Sequence, residues 1–270
     1  MPYLLNAALK GVIEGFTEFL PISSTGHLIL VDRFFPLTGN PLEAERLDAL
    51  FDLVIQFPAI LAIVVLFRRR LWTAACAARQ DTALRRFWLG LALGFVPIGV
   101  AGLALHQQAE ALRLPLVVAI TLIVGGVLLV LLERIAMRPA VNRAEDVPLA
   151  TALSIGVCQC LALIPGTSRS GSAIVAGRLM GLTPRAAAEF SFFLALPTMG
   201  AACGYKLLKS WGEINWHAHG PVLLVGCVAS FLTAWAVVAV FLKLLDKPWG
   251  LTLWGWYRIA LGALVLALVR

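Results

Sequence analysis

Most of this sequence is apolar, and its stretches differ mainly in how each apolar run is interrupted. Long apolar runs at 49–67, 87–105, 115–132, 186–205, 220–243 and 250–269 each have the length for a helix to cross a hydrocarbon core of ~30 Å. Two further runs do not fit that pattern. The first, 3–20, breaks at Ser23-Ser24-Thr25-Gly26-His27 and resumes only from Leu28 to Phe35, too short for a crossing. The second, 149–181, breaks at Pro165-Gly166-Thr167-Ser168-Arg169-Ser170-Gly171. A short helix, a polar turn and another short helix read as a re-entrant hairpin. For the first run, one bent span over 4–31 is the competing reading. The pattern therefore predicts an all-α integral membrane protein in one polytopic domain, with six transmembrane helices and two re-entrant helical hairpins.

The two breaks echo each other. Gly11 to His27 reads GVIEGFTEFLPISSTGH and Gly156 to Ser172 reads GVCQCLALIPGTSRSGS. At a constant offset of 145, Gly11 falls on Gly156, Val12 on Val157, Glu14 on Gln159, Ser23 on Ser168, Thr25 on Ser170 and Gly26 on Gly171. The repeats run roughly over 1–132 and 149–270. Lipid cannot satisfy the backbone groups that a break frees, so breaks persist only where they are buried in protein or line a wet cavity. Paired broken segments in the two halves of a membrane protein point to a binding site, and a single site built by both breaks is expected.

Composition agrees: 60% hydrophobic, 14% charged, mean hydropathy +0.88. The net charge of +7 does not indicate nucleic acid, because the charges sit in loops between apolar spans. With the 68–86 loop placed inside, the inside loops 68–86, 133–148, 178–185 and 243–247 hold thirteen Lys and Arg. The outside set of Arg33, Arg46, Arg113, Lys206, Lys209 and Arg270 holds six. Lys10, Arg169 and Arg258 fall within hydrophobic segments and are left out of the count. Both termini then lie outside the cytoplasm, and the hairpins enter from opposite faces, an inverted-topology repeat. The N-terminus lacks the basic start of a cleavable signal. The five Cys residues lack metal spacing and read as packing.

The candidate chemistry lies in the breaks. Ionisable groups inside a membrane each cost roughly 2.5–3.5 kcal/mol on insertion scales and are functional by default. Glu14 and Glu18 share a helix face and suit a hard divalent cation, Mg²⁺ or Ca²⁺, completed by phosphate oxygens; a structural capping pair is the alternative. Arg169 sits in a Ser168-Arg169-Ser170-Gly171-Ser172 turn where backbone N–H groups and hydroxyls converge at a helix start, a setting for an anion. Thr25 and Gly26 occupy the corresponding place in the first break. His27 and Ser24 compete as the attacking group: three residues apart, they share a face and could share one proton. The imidazole needs no base and is the favoured one, with Ser24 or an activated water as the other options. Asp52 and Glu189 read as supporting residues or simple helix-start placements; His217 and His219 read as solvated.

Glu14-x-x-x-Glu18, Pro21 to His27 and Pro165 to Gly171, with Gln159 to Leu163 and Glu189 to Phe192, resemble the undecaprenyl-diphosphate phosphatase family linked to bacitracin resistance. The resemblance spans essentially the whole chain. It implies hydrolysis of a C55 polyprenyl diphosphate to the monophosphate, recycling a lipid carrier for peptidoglycan synthesis in a bacterial inner membrane, with the site opening to the periplasmic side. It assigns the acidic pair to Glu14 and Glu18, the serine and histidine to Ser24 and His27, and the phosphate grip to Ser168 and Arg169. The implied partners are the polyprenyl diphosphate and bacterial membrane lipids, with a homodimer an open possibility. One position departs: Ala173 stands where the family often has Thr, beside Ser172. A polyprenyl-phosphate flippase or other inverted-repeat transporter shares the broken helices but has no need of His and Ser beside a phosphate grip. The acid-phosphatase-like membrane superfamily needs a His five residues after Ser-Arg, where this chain has Val175.

Overall fold

The computed structural model describes residues 2–38, 41–135, 139–210, 212, 216–247 and 249–269. Arg138 and Arg270 lie outside these residues, as do the side chains of Arg33, Arg46 and His217. Eleven α-helices follow in order among the described residues: α1 Pro2–Thr17, α2 Ser24–Phe34, α3 Pro41–Leu66, α4 Arg68–Ala77, α5 Thr82–Ala111, α6 Pro115–Arg134, α7 Leu149–Gln159, α8 Arg169–Leu179, α9 Pro184–Ser210, α10 Trp216–Leu245 and α11 Gly250–Val269. Short 3₁₀ turns occupy Ala144–Asp146 and Cys160–Leu163. A lone bridge pairs Val141 with Leu182, and no strand occurs among the described residues.

Five helices, α5, α6, α9, α10 and α11, are long and apolar enough to cross a membrane. Exposed Leu103, Leu128, Leu232 and Val240 on their outer faces suit a lipid surface, and the chain is a multi-pass membrane protein. The span expected at 49–67 differs. Its apolar part, Leu50–Leu66, is short and bends by 71° into Arg68–Ala77, so a sixth crossing exists only if the bent pair counts as one. The Arg cluster, expected as a loop, forms α4 because Arg, Leu and Ala are strong helix formers.

Helix ends follow local chemistry. Asp81 starts α5 by accepting from Ala83 N at 2.7 Å and Leu84 N at 3.4 Å. Glu133, at the end of α6, accepts from Leu251 N at 3.2 Å and Thr252 N at 2.5 Å, which fixes the start of α11 beside α6.

The packing is crossed between the halves. The leading helix of the first break, α1, packs chiefly on α10, and the leading helix of the second, α7, packs on α5. The equivalent glycines Gly11 and Gly156 make both contacts possible: a Cβ on Gly11 would strike the Gly226 carbonyl, and one on Gly156 the Gly94 carbonyl. Small residues let backbones approach in this way where lipid offers helices no hydrophobic drive to associate. Beneath the breaks, an aromatic cluster joins Phe19 to Phe192 (5.4 Å between centroids) and Phe193 to Phe67 and Phe87 (5.1 and 5.6 Å).

An ion-pair network closes the end at the α3–α4 bend. Arg70 bonds Glu145 through two nitrogens and Glu189 at 2.6 Å, with the Phe67 and Phe193 rings at 5.9 and 5.4 Å. Burial pushes the Glu145 carboxyl up, but the Arg70 hydrogen bonds, aided by the Arg70 and Arg143 charges, outweigh it and hold the group below its usual range. Glu189 also takes Arg185 at 3.1 Å, so it anchors this network through both Arg partners.

Candidate active site

Both breaks turn on a serine in an unusual backbone conformation. Ser23 has φ 70° and Ser168 φ 72°, and they are the non-glycine residues with positive φ among those described. L side chains seldom adopt this region. Each serine then caps the helix that follows: Ser23 Oγ accepts from Gly26 N at 3.4 Å, and Ser168 Oγ from Gly171 N at 3.1 Å. The polar cluster of each break is therefore the first turn of a helix, and α2 begins at Ser24 rather than at Leu28. In the second break Gly166 sits at φ 87° with Val118 O 2.7 Å from where a Cβ would lie, a place only glycine fills without displacing α6.

Strain of this kind persists only where its surroundings over-determine it, and here Arg258 of α11 does so. Wholly buried, it donates to Pro21 O, Gly166 O and Thr167 O at 3.0 Å, and to Thr121 O at 3.0 Å and Leu122 O at 3.3 Å. Pro21 and Gly166 are equivalent at the 145 offset, so a single guanidinium satisfies matching carbonyls of both breaks. Ser170 Oγ adds a bond across them, to Leu20 O at 2.8 Å. The signal for Arg258 was present in the sequence, as a charge inside the apolar run 250–269. Its partners were not, because they come from three distant segments.

The acidic pair meets the basic turn here. Ser24 Oγ donates to Glu18 Oε2 at 2.6 Å, and Arg169 donates to Glu18 Oε1 at 3.3 Å and to Ser191 O at 3.0 Å. The Arg169 guanidinium also lies 5.7 Å from the Phe19 ring centroid. Glu14 is fully buried beside Glu18, Asp52 and Arg169, and neither of its carboxyl oxygens accepts a hydrogen bond from a described residue. At the matching place in the second half, Gln159 is likewise buried with neither amide atom bonded. At this pair of equivalent positions the first half therefore carries a carboxylate and the second an amide. Ser191 Oγ and Arg169 Nε are also buried without partners.

Both ring nitrogens of His27 are bonded to groups other than Ser24. Its Nδ1 lies 2.8 Å from Ser23 O and its Nε2 2.7 Å from Tyr257 Oη, with the Tyr257 ring stacked at 5.6 Å and 7°. A carbonyl only accepts, so Nδ1 carries the hydrogen, and in the neutral ring Nε2 accepts from Tyr257. The proton that Ser24 and His27 could share by their spacing goes elsewhere here: the proton partner of Ser24 is Glu18. Tyr257 carried no signal in the sequence, since a Tyr in an apolar span reads as interfacial.

The remaining turn residues bond within the fold. Ser168 Oγ lies 3.1 Å from Ser170 Oγ, and Ser172 Oγ donates to Ser168 O at 2.9 Å. Gly26 packs 3.3 Å from Leu122, measured from where its Cβ would lie, next to the part-buried Thr25. Ala173 is buried and supplies packing where a hydroxyl was looked for. A hard divalent cation fits the donor set. Glu14 offers two oxygens without partners, and each Glu18 oxygen keeps a lone pair beyond its present bond. Among the described residues no group of three or more His, Cys, Asp or Glu is arranged to hold a metal unaided, so phosphate oxygens would have to complete the shell.

Residues 7–264 match the model of a family described as bacitracin resistance protein BacA. Similar curated proteins include the undecaprenyl-diphosphatase of Sorangium cellulosum, 48% identical over 98% of this chain and 86% of that protein. Undecaprenyl-diphosphatase 2 of Paramagnetospirillum magneticum is 42% identical over 98% of this chain and 99% of its own length. An undecaprenyl-diphosphatase of Rhodopseudomonas palustris is 43% identical over 97% and 96%.

Proposed function

This chain belongs to the bacitracin resistance protein BacA family, and we propose that it hydrolyses undecaprenyl diphosphate to undecaprenyl phosphate and inorganic phosphate. That reaction recycles the lipid carrier of peptidoglycan synthesis and confers resistance to bacitracin. The observation that carries the reading is the convergence of Ser24 and Arg169, from different breaks, on Glu18 at 2.6 and 3.3 Å.

The geometry supports a covalent route. Glu18 takes the proton of Ser24 Oγ as that oxygen attacks the terminal phosphorus, because a hydroxyl needs a base within hydrogen-bond reach. The Oγ–P bond forms and the bridging P–O bond breaks, leaving its electron pair on the departing lipid monophosphate. Arg169, with one N–H unpartnered, grips the phosphate oxygens. A divalent cation held by Glu14 and Glu18 would neutralise charge on those same oxygens. Water then attacks the phosphoserine, and Glu18 returns its proton to Oγ. The strained serines and the Arg258 strap hold these groups in place before substrate arrives, which is how such sites lower barriers.

The pairs α1–α2 and α7–α8 are read as re-entrant hairpins of an inverted repeat. Their crossed packing and their equivalent serines support that reading. The excess of Lys and Arg in the 68–86 and 133–148 loops supports placing these loops in the cytoplasm of a bacterial inner membrane, with the site opening to the periplasm. Phosphate release from the C55 diphosphate by detergent-purified protein tests the function. Wild type is expected to release phosphate and Ser24→Ala to release none. A protein that moves polyprenyl phosphate between leaflets without releasing phosphate would instead be a transporter.

A further inference from the structure

We infer that the Tyr257 hydroxyl is the proton relay through which His27 activates the water that hydrolyses the phosphoserine; the inference rests on the phosphatase reading above. The ring of His27 has no other open route in this geometry. Its Nδ1 is committed to the Ser23 carbonyl at 2.8 Å, and Tyr257 Oη stands on Nε2 at 2.7 Å. The parallel stack of the two rings, 7° apart, holds that contact in register. His27 is itself half-buried, whereas Tyr257 is 40% exposed, and since Tyr257 Oη occupies Nε2, a water can exchange a proton with the imidazole only by way of that hydroxyl. Arg258, next along α11, is bound to backbone carbonyls and is the charged group described beside this pair.

The transfer balances. As water oxygen bonds to the phosphorus of phosphoserine 24, its proton passes to Tyr257 Oη, and the hydroxyl gives its own proton to His27 Nε2. One water O–H and one Oη–H bond break; one Oη–H and one Nε2–H bond form. The Oγ–P bond breaks with its electron pair on Oγ, which recovers a proton from Glu18. The imidazolium returns its proton to solvent by the same hydroxyl after phosphate leaves. Tyrosine suits this role because its hydroxyl donates and accepts at once.

The test is Tyr257→Phe, which keeps the ring stack and removes only the hydroxyl. Turnover is expected to fall about tenfold or more, within the range of a lost acid–base group, with kcat/KM for the diphosphate unchanged, because KM falls in step when only the hydrolysis stage slows. Acid-stable phosphoenzyme, trapped by quenching during turnover, is expected to rise, because formation continues while hydrolysis slows. A merely structural role would lower both. Unchanged turnover overturns the relay, as does a joint fall of turnover and phosphoenzyme in a variant with an unchanged melting temperature. Phosphate release without any phosphoenzyme in wild type or variant overturns the covalent step and the relay with it. No phosphate release by wild type refutes the phosphatase reading itself.

Discussion

At Arg169 the guanidinium already grips Glu18 at 3.3 Å and the Ser191 carbonyl at 3.0 Å, so a phosphate must share a fork that the fold has pre-set. Lysine keeps the charge and loses the fork. Arg169→Lys is expected to lower kcat/KM at least tenfold, ~1.4 kcal/mol, with the fold intact; near-normal turnover would assign Arg169 a structural role. Glu14 is the complementary case, a buried carboxylate without a hydrogen-bond donor. Such a group needs a compensating cation or a proton. EDTA is therefore expected to abolish phosphate release by wild type, and raised Mg²⁺ or Ca²⁺ to restore part of it in Glu14→Gln. Full activity in EDTA would remove the cation from the site. At this scale the sequence was readable where chemistry is local. Glu14, Glu18, Ser24, His27 and Arg169 stand out as polar groups in apolar runs. It was silent on which group each one touches, so His27 was the only partner weighed for the Ser24 proton, and Glu18, which holds it, was not.

Among the elements, α11 contributes more to the site than its apolar sequence suggests. Its Arg258 satisfies carbonyls that two breaks and α6 expose, and each group left unsatisfied costs about 1–3 kcal/mol. Arg258→Ala is expected to lower the melting temperature in detergent and to abolish activity. Arg258→Lys should rescue neither, since one ammonium cannot span carbonyls from three segments; recovery by Lys would show that charge alone suffices. Helix positions were legible because apolar runs of crossing length have few other structures open to them. The bend at Leu66 and the helix Arg68–Ala77 were not, because a basic cluster reads as a stop to the span whether or not helix continues beyond it. Likewise Gly11 and Gly156 read as repeat markers, and only the packed structure gives them partners in the opposite half.

For the whole molecule, orientation follows from the thirteen-to-six distribution of basic residues between loops. A single Cys placed at Arg79 on a Cys-free background is expected to label only from the cytoplasm, and one at Lys209 only from outside. Labelling of both from one face would sink the inverted arrangement. The crossed packing carries a separate consequence for how the chain is made. The ribosome delivers α1 first, yet α10, its main partner, ends at Leu245. At ordinary elongation rates that is on the order of 10–50 s later. Through that interval the nascent α1 has nothing to close on at Gly11 and Gly15, and until α8 brings Arg169 its Glu18 lacks a counter-charge, so it must wait at the interface or in the insertion machinery. Chains that stall before α8 would hold Glu18 without its guanidinium, and those that stall before α10 would leave the glycine face of α1 open, marks that membrane quality-control proteases can read.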